Sequence, residues 1–484
     1  MGGFRGWSKG LASVLTTGET KHGKTNVLFI LTDDQGVWAA GCYGNSEIRT
    51  PNLDRLAATG MRFENFFVST PVCSPSRATL LSGRIASQHG VHDWIRGGNV
   101  GADAASYLQG EVTYTDILAA QGWTCGLSGK WHLGNSQLAQ HGFSHWFTHQ
   151  QGGGPYNDAP MVRDGELVEV PGYVTHAITD DALDFLERQA QAAAPFYLSV
   201  HYTAPHSPWT GHPQEIVDSY DDCAFESCLQ EPIHPWAVGH ELSESCLGNR
   251  EMLKGYFAAV TAMDADVGRL LDKLEELGLR QQTLVVFVSD NGFSCGHHGF
   301  WGKGNGTYPP NMYENSIKVP LLASHPGRIP EGAVQPAMAS AYDFMPTLLD
   351  YLDLPLPSGR NLPGRSFVPA LLGRADAARD NVVIYDEYGA TRMVRTATWK
   401  YVQRAPQGPH ELYDLAADPE ERDNRAKDPR QRERIEALQA VLEAFFARYV
   451  EAEKDGSDYP VRGAGQMRPL GKRWADGGEP FAPG

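Results

Sequence analysis

Two short apolar runs dominate the pattern of the chain, Asn26-Val27-Leu28-Phe29-Ile30-Leu31-Thr32 and Leu284-Val285-Val286-Phe287-Val288. Neither alternates apolar with polar, so both read as strands buried on both faces, as in a parallel sheet. Further strand signals fall at 124–127 and 196–201. Helical stretches separate these strands, which predicts a sheet covered on both faces. Met252, Leu253, Tyr256, Phe257, Val260, Met263, Val267, Leu270, Leu271 and Leu274 recur at helical spacing. They predict one long amphipathic helix whose role is packing. Residues 209–250 break the rhythm with polar, Pro-containing sequence and read as an inserted loop region.

After about residue 375 the character changes. Val382–Tyr385, Thr391–Arg395 and Lys400–Val402 predict short strands of an antiparallel sheet. A helix is expected at about 430–454, with Ile435, Leu438, Leu442, Phe445 and Tyr449 inward. The Gly/Pro-rich stretch from Ser457 has no periodicity, so it is either mobile or laid across another surface. The expected fold class is α/β: a large mixed, mainly parallel sheet sandwiched by helices, with a smaller C-terminal antiparallel sheet plus helix. The expected division is an extension at 1–24, a main domain at 25–375, an α+β subdomain at 376–456 and a tail at 457–484.

The 484 residues exceed what one core usually organises, which agrees with two domains. A formal net charge of −17 argues against general nucleic-acid binding. No run approaches the roughly 20 apolar residues of a membrane span. In the first 24 residues the one apolar island, Leu11–Leu15, is too short for a signal-peptide core. The expected compartment is cytoplasmic, or periplasmic or secreted if an export signal has been removed. Seven cysteines, at 42, 73, 125, 223, 228, 246 and 295, are too few and too odd for a disulfide scaffold. Cys223, Cys228 and Cys246, with His234 and His240 among them, leave a zinc site or a loop disulfide open, though their spacing fits no standard zinc pair.

The candidate chemistry sits where the two apolar runs end. The first delivers Asp33-Asp34 and the second Ser289-Asp290-Asn291-Gly292, at the carboxyl ends where open α/β sheets bind ligands. Either pair alone could cap a helix. Adjacent carboxylates repel, however, and a second acidic pair nearby makes a cation the simplest resolution. Asp33, Asp34, Asp290 and Asn291 form an all-oxygen set suited to Ca²⁺, with Mg²⁺ as the alternative. The His and thiolate ligands expected of zinc are missing from it. Cys73-Ser74-Pro75-Ser76-Arg77 adds a helix start: Pro75 suits a first turn, and Gly83 can end the helix. Cys73 would then stand at a helix N-terminus, with Arg77 four residues on and able to reach back. Taken alone, this Cys reads as a buried structural thiol.

Taken with its companions, the motif resembles that of the formylglycine-dependent sulfatases of the alkaline phosphatase superfamily. The likeness runs from Asn26 to about Asn424. It is carried by Leu31-Thr32-Asp33-Asp34-Gln35, Cys73 to Arg77, Leu81-Ser82-Gly83-Arg84 and Gly129-Lys130-Trp131-His132-Leu133-Gly134. Pro205-His206-Ser207-Pro208, Ser289-Asp290-Asn291-Gly292 and Tyr313-Glu314-Asn315 follow in the same order.

The resemblance implies a catalytic domain at 25–375 in which Cys73 is oxidised to formylglycine (3-oxoalanine), whose hydrate is the nucleophile. A gem-diol offers one hydroxyl to attack sulfur and keeps a second to expel sulfate afterwards, so the reaction divides into two steps. It implies a metal held by Asp33, Asp34, Cys73, Asp290 and Asn291. With Arg77, that metal would lower the cost of ionising the hydroxyl. Lys130 and Lys303 would hold the sulfate oxygens. His132 would take the proton when sulfate leaves, and His206 would protonate the departing alcohol. It also implies a maturation partner, a formylglycine-generating or anaerobic sulfatase-maturating enzyme. A homo-oligomer is left open, and so is a direct role for His201, His297 or His298.

For the substrate, aromatic faces beside charged groups suit a sugar ring. Asp93, Trp94 and Arg96 follow the nucleophile helix, Trp209 follows the His206 motif, and His298, Glu387 and Arg392 lie further on. The expectation is a small anionic sulfate ester, most simply a hexosamine or galactose sulfate, with these seven residues as its contacts. Two alternatives stand beside it: a phosphonate monoester or phosphodiester hydrolase on the same scaffold, and a non-catalytic sulfated-glycan binder if Cys73 is never modified.

Overall fold

The computed structural model describes residues 25–374, 379–459, 461–470 and 479–482. In chain order the main sheet begins with β1 (Asn26–Thr32), β2 (Met61–Phe67), β3 (Thr124–Lys130) and β4 (Phe143–His149). It continues with β5 (Asn157–Arg163), β6 (Glu166–Tyr173), β7 (Phe196–His201) and β8 (Thr283–Ser289). A small pair, β9 (Ser294–Cys295) and β10 (Trp301–Gly302), precedes β11 (Leu321–Ser324) and β12 (Ala333–Ser340). The main sheet has ten strands in the order β12-β2-β11-β8-β1-β7-β3-β4-β5-β6. Neighbours from β8 through β4 pair in parallel, and β11 runs antiparallel between β8 and β2.

β1 lies near the centre, and all seven of its residues are buried. Its unbroken apolar run follows from that position, because side chains on both faces meet packed helices. Val27, Phe29 and Leu31 join the core with the helices Cys73–Ser82, Tyr114–Ala120 and Phe344–Tyr351. Leu28 and Ile30 join the opposite core, built with the helices Val174–Ala190 and Arg250–Glu276. The long helix is the one the periodicity predicts. It is capped by Asn249, whose side chain accepts from the amides of Glu251 and Met252.

The C-terminal part is a four-stranded antiparallel sheet of β13 (Asn381–Asp386), β14 (Thr391–Thr396), β15 (Trp399–Arg404) and β16 (Glu411–Asp414). Helix Arg432–Tyr449 covers it, shorter than expected, because Val450 turns to extended backbone. Its buried stripe is Leu438, Leu442 and Phe446, with Ile435, Phe445 and Tyr449 only partly buried at the rim. The expected boundary at 375/376 and the extension at 1–24 lie outside the described residues.

Residues 209–250 form loops around two short helices, Gln214–Asp218 and Glu241–Cys246. All seven cysteines are free thiols, and among the described residues the cluster spaced to hold a metal is Asp33, Asp34 and His206. Neither the zinc site nor the loop disulfide considered for Cys223, Cys228 and Cys246 is formed. No helix among the described residues is long and apolar enough to cross a membrane.

Two features tie the parts together. The described tail is laid across the segment that follows the helix Cys73–Ser82, with Gln466 bridging Ile95 in parallel. Lys400, fully buried on β15, reaches Glu421 at 2.6 Å and Glu314 at 2.8 Å, which locks the Tyr313-Glu314-Asn315 motif to the C-terminal sheet. Removing one partner of a buried ion pair leaves uncompensated charge, at a cost of about 3–5 kcal/mol. Lys400→Ala is therefore expected to lower the unfolding free energy by that amount, read as a lower denaturant midpoint at an unchanged slope. A loss below about 1 kcal/mol, the worth of an exposed pair, would show that the joint is not held this way.

Candidate active site

Cys73, the expected nucleophile, is placed by the helix Cys73–Ser82, which starts at Cys73 itself after extended Val72. Gly83 ends it at φ 66°, the left-handed conformation that glycine adopts without penalty. Every residue of this helix is buried. Burial pushes the Cys73 thiol up, with the Lys130 and Lys303 charges acting against it. A thiol kept protonated in this way is a poor nucleophile. Its Sγ lies 3.4 Å from His132 Nδ1.

Parallel pairing of β1 with β8 puts Thr32 opposite Ser289, so Asp33 and Asp290 leave the sheet side by side. Asp34 then turns at φ 65°, and its amide points at Asp290 Oδ1 from 3.4 Å. Each carboxylate has one cation. Lys130, at the end of β3, holds Asp33; Lys303 holds Asp34 at 2.6 Å; Arg77, one turn into the helix Cys73–Ser82, holds Asp290 at 2.7 Å. Asn291 donates its amide to Asp34 Oδ1 at 2.6 Å. Burial raises the Asp290 carboxyl to about 7, helped by the charge of Asp33 beside it. For Asp33 burial acts in the same direction, but Lys130, His206, Arg77 and Lys303 outweigh it and hold the carboxyl well below the usual range. Like charges sharing a site split in this way.

Asp33 Oδ1 and Asn291 Oδ1 are both buried without a hydrogen-bond partner. Orphaned buried oxygens are costly, and hard oxygen donors suit a divalent cation of the Ca²⁺ or Mg²⁺ kind. The residues present therefore fit such an ion. Donor atoms of Asp33, Asp34 and His206 lie within 4.8 Å of one another. Cys73 enters this set only as a protonated thiol directed at His132, which is no ligand for a hard ion.

A cleft of about 510 Å³ opens above this cluster, with Asp34, Cys73, His132, His206 and Lys303 among its lining. His132 is left-handed at φ 55°. Burial and the Lys130 charge lower its pKa well below the ordinary value, so the ring is neutral. Its Nε2 lies 2.9 Å from the Ile95 carbonyl, an acceptor only, so Nε2 carries the proton and Nδ1 offers a lone pair toward Cys73. His206 Nδ1 bonds the Ser207 carbonyl at 2.7 Å, leaving Nε2 3.8 Å from Asp34 Oδ2. The loop after β4 closes against both imidazoles. A Cβ on Gly152 would stand 2.2 Å from the His132 ring, and one on Gly153 would stand 3.1 Å from the His206 ring. Sequence reading missed Gln151, Gly152, Gly153 and the His240–Leu242 wall of the cleft. The run Gly152-Gly153-Gly154 was the available signal, since glycines mark close approach.

Of the seven residues expected to meet substrate, Trp94 and Arg96 line the cleft. Asp93 does not. It is fully buried, accepts from the amides of Trp94 and Gly465, and is raised to about 7 by that burial. Trp209 packs edge-on against Trp301 and Phe293, its indole N–H held by the Pro205 carbonyl. His298 stacks on Tyr313 with centroids 3.8 Å apart. Glu387 is buried and bonded to Arg392, which lies over the Phe446 ring. None of these five lines the cleft, because each satisfies its polar or aromatic group within the fold. His201 sits beneath the site against the Lys130 carbonyl, and His297 bonds the Ser227 carbonyl.

Comparison with known proteins agrees with this arrangement. A family profile described as Sulfatase matches residues 25–354, and one described as N-sulphoglucosamine sulphohydrolase, C-terminal, matches residues 296–447. The chain is 28% identical to the N-acetylglucosamine-6-O-sulfatase of Bacteroides thetaiotaomicron, over 92% of this chain and 90% of that protein. It is 31% identical to the N-acetylgalactosamine-6-sulfatase of the dog, Canis lupus familiaris, over 72% of this chain and 66% of the relative. A solved structure in complex with its substrate D-glucosamine-2-N,6-O-disulfate superposes with a TM-score of 0.77 at 26% identity, covering 90% of this chain and 99% of that one. The chain belongs to the sulfatase family, and it is a sulfuric ester hydrolase of the alkaline phosphatase superfamily.

Proposed function

We propose that this sulfatase acts on a carbohydrate sulfate, most simply a hexosamine sulfate, by covalent catalysis at Cys73 after its oxidation to formylglycine. The observation that carries the reading is the surroundings of Cys73. A thiol held protonated stands at the floor of a cleft, against the lone pair of a neutral imidazole and beside three buried cations. Formylglycine would supply a hydrated aldehyde, one hydroxyl of which attacks sulfur while the other remains. A divalent ion on Asp33, Asp34, Asp290 and Asn291 would supply positive charge that favours the ionised hydroxyl.

The chain's own residues do the rest. Lys130 and Lys303 carry N–H donors toward an anionic ester, where charge shifts from sulfur oxygens to the bridging oxygen during transfer. Arg77 compensates Asp290 from the nucleophile helix. His132 Nδ1 is the base that accepts the proton of the second hydroxyl. His206 is partly exposed and lines the cleft, where Nε2 can meet a leaving oxygen and hand it a proton. Trp94 offers a ring face and Arg96 a charged fork at the wall, both suited to a sugar carrying polar substituents. The names of the relatives, which act on N-acetylglucosamine and N-acetylgalactosamine sulfates, support the hexosamine class. The reading requires a maturation enzyme that oxidises Cys73.

Two outcomes test this. Mass analysis of the peptide carrying Cys73 from active protein should show aldehyde, and Cys73→Ala should lose roughly a thousandfold or more in sulfate release while keeping its thermal midpoint. A panel of sulfated hexosamines, galactose sulfates and matched phosphate diesters should show turnover of a hexosamine sulfate above the others; preference for the diester would replace the reading with a phosphodiesterase.

His206→Ala should cost about 10²–10⁴-fold on a sugar sulfate, whose alkoxide needs the proton. On a nitrophenyl sulfate, whose phenolate leaves unaided, the loss should be about tenfold or less. Equal losses on both esters, with cleavage rate-limiting in each, would remove His206 from the acid role.

A further inference from the structure

Among the described residues, the tail meets the reaction centre at the backbone around Ile95. Ile95 is held from three directions. Its amide donates to Ser74 Oγ at 3.1 Å, next to the nucleophile. Its carbonyl takes the Nε2 proton of His132 at 2.9 Å. On its far side, the Gln466 amide donates to the Trp94 carbonyl at 2.7 Å, and the Arg96 amide donates to the Gln466 carbonyl at 2.9 Å.

Gln466 is itself locked. It is fully buried, with Oε1 accepting from the His92 amide at 2.9 Å and Nε2 donating to the carbonyls of Gly90 at 2.9 Å and Arg468 at 3.0 Å. The neighbouring tail residues hold the same strip: Gly463 accepts from the Trp94 indole, Ala464 accepts from Arg96, and Gly465 donates to Asp93. Asp93 and Gln466 thus both join the tail to residues 90–96, Asp93 through the Gly465 amide and Gln466 through His92 and Gly90.

The neutral imidazole of His132 can carry its proton on either nitrogen, and only one form presents a lone pair to Cys73. The Ile95 carbonyl selects that form, provided it stays where the tail pins it. We propose that Gln466 is a positioning residue for the sulfatase reaction, holding Ile95 so that its carbonyl keeps His132 protonated on Nε2 and basic at Nδ1. This rests on the reading of His132 as base, but the tautomer itself does not depend on turnover.

The test is nitrogen-15 NMR of the His132 ring in the full chain, identified by its disappearance in His132→Asn, together with kinetics. The wild-type ring should be a single Nε2-protonated tautomer. Gln466→Ala removes the three side-chain bonds. Gly465→Ala is a second, separate perturbation: the residue sits at φ 102°, and its new methyl would meet Arg96 Cβ at 2.6 Å. Either variant, once shown to be folded by circular dichroism, should populate the Nδ1-protonated tautomer at on the order of 10% or more. It should also lose about tenfold in kcat on sugar and nitrophenyl sulfates alike, with KM within about twofold. A wild-type ring in mixed tautomers overturns the proposal whatever the variants do. So do folded variants that keep the wild-type kcat, or that lose activity with His132 still in one tautomer. Failure of the wild type to release sulfate would instead sink the reading of His132 as base, with the tautomer result standing apart.

Discussion

Three carboxylates buried side by side at the carboxyl edge of a sheet are the constraint on which the rest of this structure depends. Asp33, Asp34 and Asp290 can be there only because Lys130, Lys303 and Arg77 arrive from three other parts of the chain. Buried charges without such partners would cost several kcal/mol each. The balance of three against three also explains how an acidic protein can receive an anionic ester. A doubly charged ion on the oxygens would make the cluster more positive, and the lysine N–H groups could then face the substrate.

The fold supplies each member of that cluster by a separate device. Parallel register between β1 and β8 brings Asp33 to Asp290, the end of β3 delivers Lys130, and a helix start delivers Cys73 and Arg77 on successive turns. Left-handed backbone at Asp34 and His132 aims two further side chains inward. Such conformations cost energy and persist where the surroundings over-determine them, as at His132 against the packed glycine loop. The tail completes the site from outside, because the strip it covers carries both the cleft wall and the carbonyl that bonds His132.

Much of this was legible in the sequence, for physical reasons that differ by residue. β1 and β8 announce themselves because every side chain in them is buried, which leaves no polar alternation to confuse the reading. Their acidic ends could be paired on chemistry alone, since adjacent carboxylates ask for a cation. The C-terminal helix follows the expected stripe at Leu438 and Leu442, but Phe446 takes the buried place expected of Phe445, because both suit the core and only packing decides between them. β2, β4, β5, β6, β11, β12 and β16 lie outside the strands expected from the sequence. Trp209, His298, Glu387 and Arg392 misled for a common reason: residue type shows what a side chain can bind, and not which way it points. Asp93 was sought as a sugar ligand and proves to be a clasp for the tail, a partner some 370 residues away that spacing cannot reveal.

The cation is the most direct test of the whole account. The full chain, stripped of divalent ions with chelator, should bind one Ca²⁺ or Mg²⁺ by calorimetry and gain thermal stability with concentration. At a hundredfold excess over Kd the gain should be about 2.7 kcal/mol. Asp290→Ala should lose both the binding and the gain. A wild-type chain whose unfolding temperature ignores Ca²⁺ and Mg²⁺, or which is stabilised by Zn²⁺ alone, would contradict the account.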